Sequence, residues 1–359
     1  MPEIYLVFLL FSFLLFTGLR IFPMWKKDSK PGKITLNQIS VVIPFRNEEK
    51  NLPELLSSIL LQDQFPNEIL FVNDHSDDES ITIIQTFIDK QKLGNLFSLP
   101  VEKTGKKSAL AYGVQKAESR YILTLDADVV LNIEYFNSYH LLNSTGLSSL
   151  PVKMKGKGFL GKLFSTEYSF FNAFNFLISS IWPISVSGAN LLFDSKLMNY
   201  DQQLESHQHL ASGDDYFLLK NFRNNNLPIH IRNDHSLSVE TAAPNSLKAY
   251  FDQRVRWLSK SKYQVDWVDS LIGLFVLLYF VGGIIALFSA LINGLWLILI
   301  CVFVLRFLID VLVYLNYSQK LKYSKNVLIL PLFQIVYPIL FILVALLAVF
   351  YKPKWKGRF

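Results

Sequence analysis

Asp126 and Asp128, in the stretch "ILTLDADVVL", are two carboxylates one alanine apart at the end of an apolar run. Carboxylates rarely accompany a buried strand unless something pairs with them. A two-residue spacing at a strand end turns both side chains to one face. Two anions so placed repel, and a divalent cation relieves the repulsion. A small set of hard oxygen donors suits Mg2+ or Mn2+, with a phosphate completing the shell. The other reading is a turn with capping aspartates. Asp74, in "ILFVNDHSDDES", sits where a second apolar run meets a polar turn. It either accepts a hydrogen bond from a ligand base or caps the next helix; Asp77 and Asp78 read as caps. Asp214 and Asp215, in "SGDDYFLLKNF", head a helix. Either both cap it, or one caps while the other, kept ionised by the positive helix end, acts as general base toward a hydroxyl.

Two basic stretches complete the set. "GKK", Gly105 to Lys107, opens a helix whose first turn can receive a phosphate. "YFDQRVRWLSKSKYQVDW" carries Arg254, Arg256, Lys260 and Lys262. In a helix, Gln253, Arg256 and Trp257 share a face at i, i+3 and i+4. Arg256 can then meet a pyrophosphate and Trp257 can stack on a sugar or acceptor; the plainer alternative is a basic amphipathic surface helix. No Gly-x-x-x-x-Gly-Lys-Ser/Thr loop exists, and His75, His207, His209, His230 and His235 have no His-Glu-x-x-His spacing.

The elements that must position these residues alternate. "ISVVIPF", "EILFVND", "NLFSLP" and "YILTLDAD" read as strands; "EEKNLPELLSSILLQ", "DESITIIQTFIDKQK" and "GKKSALAYGVQKAES" read as helices between them. Apolar strands alternating with helices predict an α/β fold, a parallel sheet with helices on both faces. Such sheets bind ligands at the carboxyl ends of their strands. Asp74, the Asp126–Asp128 pair and the turn after "VVIP" all lie at such ends, so one crevice is expected.

The chain has 359 residues, 51% hydrophobic and 18% charged, with mean hydropathy +0.29. That is more apolar than a soluble domain requires, so membrane segments are expected. Ile4 to Phe22 is long enough to span a bilayer, and Lys26, Lys27, Lys30 and Lys33 follow it, which predicts a cytosolic location for the next segment. Two further spans are expected after Leu271. A third apolar segment, with Pro331 and Pro338, is expected to be a re-entrant hairpin broken near Pro338. The expected organisation is an anchor over 1–25, a cytosolic domain over 38–268 and a transmembrane region over 269–359. The net charge of +6 sits beside apolar segments, which fits an anionic membrane surface better than nucleic acid. The aromatic stretch Phe159 to Trp182 is either a core helix or an interface helix guiding a lipid acceptor. One cysteine, Cys301, excludes a disulfide framework.

"VVIPFRNEE", "VNDHSDD", "GKKSAL", "DADV", "SGAN", "GDDYFLL" and "QRVRW", followed by apolar segments, occur in an order that resembles the membrane-bound glycosyltransferases of family 2. The resemblance is similar for ceramide glucosyltransferases, poly-N-acetylglucosamine synthases and hyaluronan or cellulose synthases. It implies the GT-A fold, a Rossmann-like mixed sheet with helices on both faces, flanked by transmembrane helices on the cell membrane. It implies a UDP-sugar donor, a Mg2+ or Mn2+ cofactor and a lipid or glycan acceptor. By that resemblance Pro44, Asn47 and Glu48 line the nucleotide pocket, Asp74 reads the uracil and Lys106 lies near the donor. Asp128, with Asp126, holds the metal. Gly188, Ala189 and Asn190 approach the sugar or acceptor, Asp215 is the base beside Asp214, and Gln253, Arg256 and Trp257 serve pyrophosphate and acceptor. The chain departs from the family in writing Asp214-Asp215 for the frequent Glu-Asp, and Asn73-Asp74-His75-Ser76 for the first acidic motif. The expected reaction is inverting transfer to a lipid or membrane-associated glycan. The alternatives are a processive polysaccharide synthase, a catalytically inactive membrane scaffold, and a nucleotidyltransferase, which lacks an obvious triphosphate loop.

Overall fold

The computed structural model describes residues 34–142, 146–179, 181–197, 213–259, 266–323 and 329–350. The chain divides into two compact units. One comprises Asp28–Lys155 with Ser185–Ala242; the other comprises Gly156–Ile184 with Ala243–Phe359.

The first unit opens with the expected alternation: β1 Ile39–Phe45, α1 Leu52–Leu60, β2 Glu68–Asn73, α2 Ser80–Gln91, β3 Asn95–Ser98, α3 Lys106–Lys116 and β4 Tyr121–Leu125. Each helix forms where apolar residues recur at helical spacing. In α1, Leu52, Leu55, Leu56 and Ile59 are buried, and Pro53 occupies the first turn, where its missing N–H is no loss. β1 and β4 are buried along their whole length, as parallel strands covered on both faces require.

The remaining strands are β5 Val130–Leu131, β6 Leu147–Ser149, β7 Val152–Lys155, β8 Asn190–Asp194, β9 Ile229–Ile231 and β10 Val239–Ala242. The main sheet runs β3-β2-β1-β4-β8-β6-β9, and β5-β10-β7 form a smaller one. β1 to β4 are mutually parallel, as expected. β8 instead runs antiparallel to β4, pairing Leu125 with Asn190. The sheet is therefore mixed, and the reversal has a consequence for the site. β8 begins where β4 ends, so Gly188 and Ala189 lie beside Asp126.

α3 is drawn tightly onto the sheet. A Cβ on Gly113 would sit 2.4 Å from Val42 Cγ1 and 3.1 Å from Val72 Cγ2, so only glycine lets the helix lie this close. That contact fixes where the helix presents its first residue, Lys106. Around it Val42, Leu70, Val72, Ile122, Leu191 and Phe193 form the core, each burial worth about 1.5–3 kcal/mol.

The second unit contains α4 Gly158–Ile178, α6 Leu247–Ser259, α7 Trp267–Ile292, α8 Trp296–Lys320 and α9 Leu330–Phe350; α5 Asp214–Asn224 belongs to the first. Here the sequence expectation is corrected. Among the described residues no helix is long and apolar enough to cross a membrane. The expected transmembrane helices after Leu271 fall with that finding, as do the multi-pass arrangement, the cell-membrane location and the membrane partner. Ile4 to Phe22 lies outside the described residues. The third apolar segment is one continuous helix through Pro338 rather than a broken hairpin.

Part of the apolar content that suggested spans serves an internal core, while residues such as Leu274, Phe288, Leu297 and Leu312 of α7 and α8 stay exposed. Phe333, Leu340, Val344 and Ala348 of α9 pack with Phe164 of α4 and with Tyr250 and Val255 of α6. α8 also carries a buried Asp310 and a buried Ser318. The aromatic stretch follows its core reading: Phe170 is 5% exposed and stacks on Tyr314 and Phe333, with ring centroids 5.3 Å and 4.6 Å away. Phe159, at the start of the stretch, is exposed, and Phe171, Phe174 and Phe176 are half-buried.

Candidate active site

The carboxyl ends of β1 and β2 are latched to each other before any ligand is considered. The backbone N–H of Asp74 donates to the Phe45 carbonyl, 2.9 Å. Beyond β1, Asn47 adopts a left-handed φ of +52°, a conformation asparagine tolerates well. Its side chain donates to Asp77 Oδ1 at 2.5 Å and accepts from the Asp77 N–H at 3.0 Å. The Glu48 N–H donates to Ser80 Oγ and the Glu49 N–H to Asp78 Oδ2, 2.8 and 3.0 Å. Asp78 also accepts from the Ser80 N–H, 3.0 Å, as a cap would. Burial alone would raise its pKa, but these hydrogen bonds hold it below the usual carboxylate range. Asp77 and Asp78 read as caps from their spacing alone; their tie to the "RNEE" turn was not legible there. Pro44 is buried inside β1.

Asp74 is 1% exposed. Its Oδ1 accepts the N–H of Gly105, 2.9 Å, the residue preceding α3. This bond joins the end of β2 to the start of α3. Gly105 has φ +97°, which favours glycine, and the next residue is Lys106.

Lys106 Nζ lies 2.5 Å from Asp126 Oδ1. Burial would depress its pKa, but Asp126, Asp214 and Asp215 together raise it above the ordinary lysine value. One ammonium thus answers carboxylates from two distant parts of the chain. Asp126 and Asp128 lie just past β4, in the turn toward β5 rather than in the strand. Asp128 is exposed, yet its pKa is pushed up to about 6, by desolvation and by the charges of Asp126 and Glu48, against the pull of Lys106. Asp128 therefore feels the negative charges of both Asp126 and Glu48.

At the head of α5, Gly213 is the N-cap, with φ +102°. The expected capping role thus falls to neither aspartate. Asp214 is buried; Asp215 is half-buried, with Oδ1 accepting the Tyr216 N–H at 2.8 Å and Oδ2 near the Gly188 N–H at 3.4 Å. The Gly188 carbonyl in turn accepts from Thr124 Oγ1, 3.0 Å. A Cβ on Gly188 would stand 3.1 Å from Asp214 Oδ2 and 3.5 Å from Asp215 Cβ. Glycine is what allows both acids to approach β8. Asn190 plays a different part from the expected one. It is fully buried, donating to the carbonyls of Pro151 and Leu237 at 2.9 and 3.0 Å and accepting from the Tyr135 hydroxyl at 2.5 Å. Its side chain braces three loops.

The first unit therefore gathers Glu48, Asp74, Lys106, Asp126, Asp128, Gly188, Asp214 and Asp215. Gln253, Arg256 and Trp257 lie on α6 of the second unit, each half-buried. Arg254, read from sequence only as one of the basic residues of this helix, is 7% exposed and stacks on Trp257 with its guanidinium carbon 4.4 Å from the ring centre.

Among the described residues no group of three or more His, Cys, Asp or Glu side chains forms a metal site. The donor set still fits a divalent cation of the expected kind. Two adjacent carboxylates, one with its charge already disfavoured, suit an ion that takes its remaining ligands from a diphosphate and water.

A mannosyltransferase of Pyrobaculum calidifontis, solved with GDP-Man and Mn2+, superposes with TM-score 0.56 at 15% identity over 98% of this chain and 100% of that one, a likeness of fold. Over 138 residues the chain is 30% identical to the poly-beta-1,6-N-acetyl-D-glucosamine synthase of Staphylococcus epidermidis, covering 36% of this chain and 32% of that one. Over 199 residues it is 26% identical to the poly(ribitol-phosphate) beta-N-acetylglucosaminyltransferase TarS of Staphylococcus aureus, covering 53% and 33%. An uncharacterized glycosyltransferase of Haemophilus influenzae is 38% identical over 90 residues, 25% of this chain and 36% of that one. The matched stretches thus span about a third of each curated relative. Residues 40–138, from β1 past the Asp126–Asp128 turn, match the model of glycosyl transferase family 2.

Proposed function

We propose that the chain transfers a sugar, with inversion, from a UDP-sugar to a glycan acceptor, assisted by Mn2+ or Mg2+. The observation that carries the reading is the convergence on Lys106. Its ammonium pairs with Asp126 and feels Asp214 and Asp215, while its helix is tied through Gly105 to Asp74. A nucleotide base, a diphosphate and a reacting hydroxyl need those three kinds of partner within one molecule's length.

Asp74 is assigned to the uracil, with Pro44, Asn47 and Glu48 around the nucleotide. Asp126 and Asp128 would hold the cation, which when bound neutralises charge on the departing diphosphate. Asp215 takes the proton of the acceptor hydroxyl. The acceptor oxygen forms a bond to the anomeric carbon as the bond to the β-phosphate oxygen breaks, and the electron pair leaves with UDP. A single displacement inverts the anomeric centre, so no carboxylate acts as nucleophile. Lys106 offers positive charge on the leaving-group side. Gln253, Arg256 and Trp257 are assigned to pyrophosphate and acceptor, and Gly188 and Ala189 to the sugar.

Of the two acceptors considered from sequence, a lipid and a growing polysaccharide, we favour the second, on the likeness to a poly-beta-1,6-N-acetyl-D-glucosamine synthase and to an enzyme that glycosylates the polymer poly(ribitol-phosphate). The test is UDP release from UDP-glucose, UDP-galactose and UDP-N-acetylglucosamine with Mn2+ and oligosaccharide acceptors, with product length read on a gel. Asp215→Asn is expected to abolish transfer while UDP still binds; wild-type turnover in that variant removes Asp215 as the base.

A further inference from the structure

Arg254 of α6 and Glu167 of α4 are 7% and 6% exposed, an ion pair within the second unit. Arg254 Nε donates to Glu167 Oε2 at 3.0 Å, and Nη2 donates to the same oxygen. Withdrawing two charges from water is costly, and well-packed apolar residues commonly give equal or better stability. The pair therefore calls for a reason besides stability. The rest of the guanidinium supplies one. Nη1 donates to Gln253 Oε1, 2.7 Å. Residues one apart on a helix do not normally face each other, so this bond is a specific tie and not a by-product of helical geometry. The same guanidinium lies 4.4 Å from the Trp257 ring, with Tyr250 and Tyr168 at 5.0 and 5.8 Å. Glu167 thus anchors a group that bears at once on Gln253 and on Trp257.

We propose that Glu167 and Arg254 are positioning residues that preset Gln253 and Trp257 for the acceptor. Glu167 fixes the guanidinium, and the guanidinium fixes the amide and the indole. The proposal rests on the assignment of the Gln-x-x-Arg-Trp motif to acceptor handling. It deepens that assignment by identifying what orients the motif and by tracing it to a helix about 90 residues earlier in the chain.

The test uses the full chain and a variant designed to keep the fold. The double substitution Glu167→Leu with Arg254→Met replaces the pair by apolar side chains and leaves no buried charge alone. It is expected to retain the wild-type Tm within a few degrees, to lower kcat/KM for the oligosaccharide acceptor about tenfold or more, and to express most of the loss in KM. In that background, Gln253→Ala is expected to cost little beyond what the double substitution costs, although alone it is harmful. Arg254→Lys, which keeps the charge without the planar fork, is expected to fall between. A 19F label on the indole of Trp257 reads orientation without activity, and its resonance is expected to shift or broaden in the double variant. An unmoved 19F resonance, or full additivity with Gln253→Ala, overturns the positioning proposal even in an active enzyme. If Gln253→Ala and Trp257→Ala leave acceptor KM unchanged while the 19F resonance does move, it is the assignment of the motif to the acceptor that fails.

Discussion

Substituting Gly188 by alanine adds one methyl group where the two acids of α5 approach β8. Gly188 does not adopt a left-handed backbone, so alanine meets no conformational penalty, and the effect is steric alone. The new Cβ would lie 3.1 Å from Asp214 Oδ2 and 3.5 Å from Asp215 Cβ, the first tighter than ordinary van der Waals contact. The backbone has little room to yield, because the Gly188 carbonyl is held by Thr124 Oγ1 and Asn190 is braced by three hydrogen bonds. The Asp214 carboxylate must give way by a few tenths of an ångström, while Asp215 stays in ordinary contact. A misplacement of 1 Å costs roughly a hundredfold in rate. A few tenths then cost about three- to tenfold, or about 0.6–1.4 kcal/mol in the barrier. Global stability changes by less than about 1 kcal/mol, since one flexible carboxylate absorbs the contact. The assay is acceptor-dependent UDP release, with KM for UDP-sugar and thermal unfolding measured on the same preparation. The expected result is a lower kcat with KM for the donor and Tm nearly unchanged. A wild-type kcat would refute the placement of Asp214 and Asp215 at the reacting centre, and a loss proportional to a fall in Tm would show that the methyl group acts on folding instead.

Replacing Lys106 by methionine removes the cation facing Asp126, Asp214 and Asp215. Turnover is expected to fall roughly 30- to 150-fold, the worth of a charge-assisted hydrogen bond, while Mn2+ binds more tightly because its competitor for Asp126 is gone; kinetics and calorimetric titration with Mn2+ read the two opposite signs. Gly113→Ala is expected to destabilise by about 1–3 kcal/mol, because the new methyl would meet Val42 at 2.4 Å and push α3 off the sheet; urea unfolding measures it. Burial would raise the pKa of Glu240, but hydrogen bonds from Lys155 and Lys153, the latter at 2.9 Å, outweigh it and lower the pKa. A group with a depressed folded pKa stabilises above its unfolded value, about 4.3 for glutamate, and loses that contribution as pH falls through the lower folded value. Glu240→Gln is therefore expected to cost about 2 kcal/mol at pH 7 and progressively less below about pH 4.3, as unfolding midpoints across pH would report.

The parts of the fold legible in sequence are those whose signal is local. β1 to β4 read as strands because their apolar runs are short and end in polar turns, and α1 to α3 because their apolar spacing is helical. The direction of β8 was not legible: "NLLFD" is as apolar read forward as backward, and only its distant pairing with β4 decides it. The acids were visible by type and position; Asn190 and Arg254 were visible too, but their bracing roles were not, since each takes its meaning from partners far away in sequence. The apolar C-terminal stretch was misread for a related reason. Hydropathy registers how greasy a segment is but not what covers it: Phe333, Leu340 and Val344 of α9 are covered by Phe164, Tyr250 and Val255 of the same chain, whereas Leu274, Phe288 and Leu297 are not covered.

The latch between the turns after β1 and β2 bears on how tightly a nucleotide could be gripped. Asn47 and Asp77 exchange hydrogen bonds in both directions, and the Glu48 and Glu49 amides are already engaged by Ser80 and Asp78. A wall assembled in advance surrenders little loop freedom when its guest arrives, so more of the contact energy survives as affinity. Entry of the base should then resemble a key meeting a finished lock: fast association, a small entropic penalty, and amides in both turns that resist hydrogen exchange as well in the free protein as in the complex.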